Sequence, residues 1–273
     1  MSTSPRQIAT ENEHIAEVGG YRIDDGSRVE IGSALAAARA GTVSYSPADQ
    51  VTEGAHGAFT GTVEVTAEGS MQAARRLHES GGKSVAVLNF ASARNPGGGY
   101  LRGARAQEED LCRSALLYSC LLEAPDYYAA HRASDDLRYS HRVIYSPGVP
   151  VIRDDHQALI AEPFQVSFLT SPAPNAGQLA LRSATPVPVR EVLNERAERV
   201  LAIAARHGVR EFVLGAWGCG VFRNDPHEVA EAFERALTLH GAAFDRVVFA
   251  VWDRSPVSPN RAAFESRFGA RSS

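Results

Sequence analysis

Twice in this chain a continuously apolar run ends in a glycine-rich loop that opens directly onto a helix-like segment. The first unit is KSVAVLNFAS, then ARNPGGGYLRGARA, then QEEDLCRSALLYSCLL. The second is REFVLGAW, then GCGVFRN, then DPHEVAEAFERALTLHG. A run without polar alternation is buried on both faces, the condition of a parallel strand covered by helices. With further strand-like runs in RVIYSP, QVSFLTSPAPN and DRVVFAVWD, the pattern predicts a three-layer α/β/α domain around a mostly parallel mixed sheet.

Helix punctuation fills in the rest. Residues 31–40 read as a helix closed by Gly41, and MQAARRLHES as one with Ser70 as N-cap and Gly81 and Gly82 at its stop. Leu111, Ala115, Tyr118 and Leu122 recur at helical spacing, so one helix is expected from Gln107 to just before Pro125. VREVLNERAERVLAIAARHG stops at Gly208, and Asp225, Pro226 and Glu228 supply an N-cap, an N1 proline and a reciprocal capping glutamate. The chain divides into an N-terminal helical extension, 1–60, and an α/β unit, 61–273, whose serine-rich end after Phe268 is expected to fray.

Composition narrows the partners. A formal net charge of -4 argues against binding nucleic acid by bulk charge, yet leaves room for a polyanion held by local arginines and backbone N–H groups. There is no run of about 18 apolar residues for a membrane span and no signal-peptide pattern at the start. Cys112, Cys120 and Cys219 are widely spaced, as expected of reduced thiols in a cytoplasmic protein. The histidines form no HExxH and the cysteines no CxxC, so neither metal nor cofactor is expected.

Loops at the carboxyl ends of sheet strands are where open α/β domains bind ligands, and glycines there let backbone N–H groups approach phosphate. Two such loops suit a ligand with a diphosphate and sugars. Neither carries GK[ST] or GxGxxG, so the loops are not Walker or dinucleotide fingerprints, and the same glycines would also serve plain tight turns. Arg94, Arg102 and Arg105 are the cations around the first loop, with solvated surface charge as the competing explanation.

Glu108 and Glu109 open a helix, where acids commonly complement the dipole. A catalytic use must respect geometry: adjacent helical residues diverge by about 100°, so only one carboxylate is expected to enter a site from here. That one would serve first as acid and then as base.

The spacing GGG, seven residues, then QEE resembles the signature of the poly(ADP-ribose) glycohydrolases, which are built on the macrodomain fold. The stretch NFASARNPGGGYLRGARAQEEDLCRSALLY is similar to the microbial branch, as are IYSPGVPVIRD, SPAPN and GAWGCGVFRNDP, and the likeness spans roughly residues 60 to 253. The resemblance implies Glu109 as catalytic acid, Glu108 holding a ribose hydroxyl, and Gln107 supporting the loop. It implies that Gly97, Gly98 and Gly99 wrap the distal ribose and phosphates, with Asn95 a ribose contact. Gly218, Cys219, Gly220, Val221 and Phe222 would form the diphosphate loop, Phe222 beside the attacked ribose. Residues 249–253 are the candidate adenine wall, with Trp217 assigned to the core.

The implied reaction is hydrolysis of ribose–ribose O-glycosidic bonds in poly(ADP-ribose), mainly from chain ends, in reversing protein ADP-ribosylation during the DNA damage response. The implied partners are ADP-ribose, poly(ADP-ribose) and poly(ADP-ribosyl)ated proteins, met by a monomer without direct nucleic-acid binding. Two other readings stay open: a macrodomain that binds ADP-ribose without chemistry, and a hydrolase of single ADP-ribosyl groups. Cys219 is read as a small residue in a tight loop and not as a nucleophile.

Overall fold

The computed structural model describes residues 3–51, 57–182 and 188–269. The chain opens with α1 (Pro5–Val18), the hairpin β1 (Gly20–Arg22) and β2 (Arg28–Glu30), α2 (Gly32–Ala40) and β3 (Val43–Tyr45). β4 (Thr62–Thr66), α3 (Ser70–Glu79), β5 (Val85–Phe90), α4 (Gln107–Ser114), α5 (Leu117–Leu121) and α6 (Pro125–Arg132) follow. A long hairpin of β6 (Val143–Arg153) and β7 (Leu159–Ser171) leads to α7 (Ala176–Arg182) and α8 (Arg190–Arg206). β8 (Glu211–Leu214), α9 (Pro226–His240), β9 (Arg246–Ala250) and α10 (Pro259–Phe268) complete the order.

Seven strands form one sheet in the order β3-β6-β7-β5-β8-β9-β4. The β4–β9, β8–β9, β5–β8 and β5–β7 pairs are parallel, and only β6–β7 and β3–β6 are antiparallel. β5 lies at the centre, and its unbroken apolar run has its reason there. Val85 and Val87 face a core with Ala73 and Leu77 of α3 and Leu111 of α4, whereas Ala86 and Leu88 face one with Leu193 of α8 and Phe233 of α9. Helices therefore cover both faces, as expected of the three-layer class.

The expected helix from Gln107 to Leu122 is broken. Ala115 is extended (φ -124°, ψ 158°), bridges Val151, and is followed by Leu116 donating to Pro150 O at 3.0 Å. The apolar period survives because α4 and α5 both pack on the same core, so periodicity alone hides the break. Ser70 is the first helical residue of α3 and Gly69 its N-cap, which frees Ser70 Oγ to accept from Gln107 Nε2 at 3.2 Å. Asp225 caps α9 by accepting from His227 N, but Glu228 turns to Arg190, 3.5 Å away.

The sheet draws on both sides of residue 60, since β3 pairs with β6 at its edge. α1 is fastened too: Asn12, fully buried, donates to Cys112 O and Arg113 O at the end of α4 and accepts from Arg153 Nε at 2.8 Å. The end after Phe268 lies almost wholly outside the described residues. Among the described residues no helix is long and apolar enough to cross a membrane.

Candidate active site

The loop after β5 is assembled by the first turn of α4. Gln107 Oε1 accepts from Phe90 N at 2.8 Å and its Nε2 donates to Leu88 O at 2.8 Å, which pins the helix start to the strand end. Glu108 Oε2 accepts from Ser92 N at 2.7 Å, and Oε1 from Asn89 Nδ2 at 3.2 Å. Glu109 Oε1 accepts from Gly99 N at 2.7 Å, and Oε2 from Ala106 N at 3.1 Å. The last contact is the reciprocal half of a capping box, so Glu109 serves the helix end with one oxygen and the glycine loop with the other.

Both carboxylates reach one point. Gly98 has φ +59°, and a Cβ there would stand 2.5 Å from Glu109 Oε1 and 3.2 Å from Glu108 Oε2. The spacing argument admitted only one carboxylate. Their stems do diverge, but the loop crosses the helix end and meets both carboxyl groups. Glu108 and Glu109 are only 3% and 7% exposed. Burial pushes the Glu108 carboxyl up to about 8, the Glu109 charge adds to the rise, and the bonds from Ser92 and Asn89 oppose it. Asn95 is exposed and closes the turn through its backbone, accepting from Gly98 N at 3.0 Å.

The second loop follows β8, the neighbour of β5. Gly218 has φ +72°, and a Cβ there would collide with Ala173 Cβ and Asn224 Nδ2. Asn224 donates to Pro174 O at 2.8 Å and to Gly218 O at 3.1 Å, so SPAPN and the GCG turn form one unit. Gly220 and Val221 are exposed, whereas Phe222 is half-buried and its carbonyl accepts from Gly177 N at 2.9 Å. Cys219 is half-buried and its thiol is pushed up to about 12 by burial, far from an ionised nucleophile.

A groove of about 680 Å³ has Phe90, Gln107, Ala216, Gly220 and Trp252 among its lining residues. Its size suits a nucleotide-like ligand. The glutamates lie off its lining, under the Gly97 to Gly99 loop. Of the candidate adenine wall, Trp252 lines this groove, but Phe249 is fully buried, stacked on Phe268 in the core. Trp217 is also core, donating to Ser171 O at 3.1 Å. Arg105 borders the groove, whereas Arg94 donates to Ser134 O at 2.9 Å. Among the described residues no group of three His, Cys, Asp or Glu could hold a metal ion.

Sequence reasoning missed Asn89 and Ser92, the supports of Glu108. The signal for Asn89 was present, as a lone amide inside an apolar strand.

A family model for the microbial-type PARG catalytic domain matches residues 9–154. The chain belongs to this family. It is similar to the poly(ADP-ribose) glycohydrolase of Thermomonospora curvata bound to the inhibitor ADP-HPD, at 47% identity over 97% of this chain and 99% of that one, with a TM-score of 0.88. The Deinococcus radiodurans PARG in complex with ADP-ribose is 46% identical over 87% of this chain and 98% of that one, with a TM-score of 0.80. No curated protein matches the chain. The match to the PARG family model begins at residue 9, so it takes in most of α1 as well as the glutamate loop.

Proposed function

We propose that this protein is a poly(ADP-ribose) glycohydrolase that hydrolyses ribose–ribose O-glycosidic bonds and releases ADP-ribose, mainly from chain ends. The observation that carries the reading is the convergence of Glu108 and Glu109 on Gly98 at the end of the central strand, in a member of the microbial-type PARG family. Relatives of this chain hold ADP-HPD and ADP-ribose.

Glu109 is the acid. Its proton goes to the departing 2′ oxygen as the bond from that oxygen to the distal C1 breaks, and the bonding pair leaves with the oxygen. Positive charge develops at C1 as an oxocarbenium-like centre, which the substrate diphosphate, held at Gly218 to Phe222, stabilises. The Glu109 carboxylate then takes a proton from the water that bonds to C1, restoring the acid. Glu108 holds a ribose hydroxyl. Gly97, Gly98, Gly99 and Asn95 surround the distal ribose, Gln107 fixes the loop, and Phe222 packs beside the reacting sugar.

Residues 61–273 carry this machinery, and 1–60 brace it through Asn12 and through Tyr100, whose hydroxyl donates to Glu13 at 3.1 Å. The monomer acts in the cytoplasm, where its three free cysteines stay reduced, on poly(ADP-ribosyl)ated proteins such as those modified after DNA damage, and without direct nucleic-acid binding.

The test is to digest poly(ADP-ribose) with the purified protein and follow chain lengths, beside a protein carrying single ADP-ribose units. The expected result is early free ADP-ribose with the single units left in place. Early long fragments would contradict chain-end attack. Release of the single units without chain cleavage would assign the site to the other hydrolase class.

A further inference from the structure

Among the described residues, four that are not glycine have left-handed backbone: Ser84, Tyr139, Gln157 and Arg223. Ser84 precedes β5, and Gln157 sits in the tight turn joining β6 to β7. The other two meet at Phe222. Arg223 follows it in sequence, and the Tyr139 ring lies 6.1 Å from the Phe222 ring, centroid to centroid. A bulky residue in this region sacrifices about 1–2 kcal/mol, and such strain persists where the surroundings impose it, often beside a functional group.

The surroundings here are well defined. Arg196 of α8, completely buried, donates Nη1 to Pro172 O at 2.7 Å and Nη2 to Arg138 O and Tyr139 O at 2.8 and 3.1 Å. Asn175 N donates to Leu137 O at 2.8 Å, and Gly177 N to Phe222 O at 2.9 Å. His131 Nε2 accepts from Ser140 N at 3.2 Å. The loop between α6 and β6, the SPAPN segment and the Phe222 loop are thereby one frame. At residue 139 the hydrogen bonds of that frame use backbone groups alone, the carbonyl accepting from Arg196 and the N–H donating to Asp136 O at 3.2 Å, so a glycine would make the same bonds without strain. What glycine could not supply is the half-buried ring.

We propose that Tyr139 is a positioning residue whose ring holds Phe222 against the reacting ribose, and that the strained backbone at 139 aims that ring. This rests on the glycohydrolase reading and on Phe222 packing beside the attacked sugar. Fixing the sugar's attitude acts on the chemical step more than on binding, because Phe222 itself and both glycine loops remain in place.

The experiment compares wild type with Tyr139→Phe, Tyr139→Ala and Tyr139→Gly, measuring kcat and KM for ADP-ribose release and unfolding midpoints in urea. The Phe variant should keep kcat within about twofold, while Ala and Gly lose about tenfold or more with KM changed less than about threefold. The Gly variant should unfold at higher urea than Ala, the reverse of the ordinary order, because glycine accepts the left-handed backbone. Wild-type kcat in the Gly variant overturns the proposal, and so does a Phe variant as impaired as Ala. Wild-type protein that releases no ADP-ribose overturns the glycohydrolase reading itself, a failure visible before any variant is compared.

Discussion

Glu109 Oε1 accepts the Gly99 amide at 2.7 Å while its Oε2 accepts the Ala106 amide at 3.1 Å. One carboxylate therefore ties the glycine loop to the start of α4. Helix capping and catalysis are usually competing explanations for an acid at this position. Here Oε2 makes the capping contact, and that contact orients Oε1 toward the glycine loop.

Gly98→Ala should abolish most activity and destabilise the fold by about 1–3 kcal/mol, since the new methyl would meet both carboxyl groups and the backbone is left-handed. Urea unfolding and ADP-ribose release measured side by side test this. Near-native values for both would mean the loop does not hold this conformation.

Stability should fall with pH through Glu108. Its carboxyl lies near 4.5 when unfolded and about 8 when folded, with burial as the main cause. The folded state holds the proton more tightly, so the stabilisation is complete below about 4.5 and lost as pH rises through about 8. Between about pH 5 and about pH 9 the urea midpoint of wild type should decline relative to Glu108→Gln, which has nothing to titrate there. Parallel profiles for the two proteins would place the Glu108 carboxyl in a wetter setting than the one described.

Much of this was legible in local sequence and some could not be. KSVAVLNFAS declared a strand covered on both faces, and the GGG and QEE spacing marked the loop and the carboxylates that meet in it. The break at Ala115 was hidden because the apolar positions continue across it. Asn12 and Arg153 are 141 residues apart, and nothing in α1 taken alone distinguishes a docking amide from a solvated one. Tyr139 was invisible for the opposite reason: a tyrosine predicts ordinary backbone, and only the surrounding frame imposes the left-handed one. Convergence of Glu108 with Glu109 depended on the path of the loop, which helical spacing does not encode.

Asn12→Ala should cost about 1–3 kcal/mol, because it strips the Arg153 guanidinium of one buried acceptor and leaves two carbonyls at the end of α4 without their donor. The urea midpoint reports it. An unchanged midpoint would mean that α1 is not fastened through this amide.

Cys219→Ser should retain activity within about threefold, since a thiol pushed up to about 12 by burial is not an ionised nucleophile at neutral pH. ADP-ribose release by the variant checks this, and loss of most activity would give the sulfur a role absent from the mechanism above.

The central claim is that Glu109 delivers the proton to the departing oxygen, and Glu109→Gln tests it most directly because the amide keeps the shape and loses the acid. Wild type and variant are compared for ADP-ribose release from poly(ADP-ribose) and, by calorimetry, for ADP-ribose affinity. The account predicts a variant that binds ADP-ribose within about threefold of wild type and loses at least about 10²-fold in release. A variant that binds and still cleaves near the wild-type rate would contradict it.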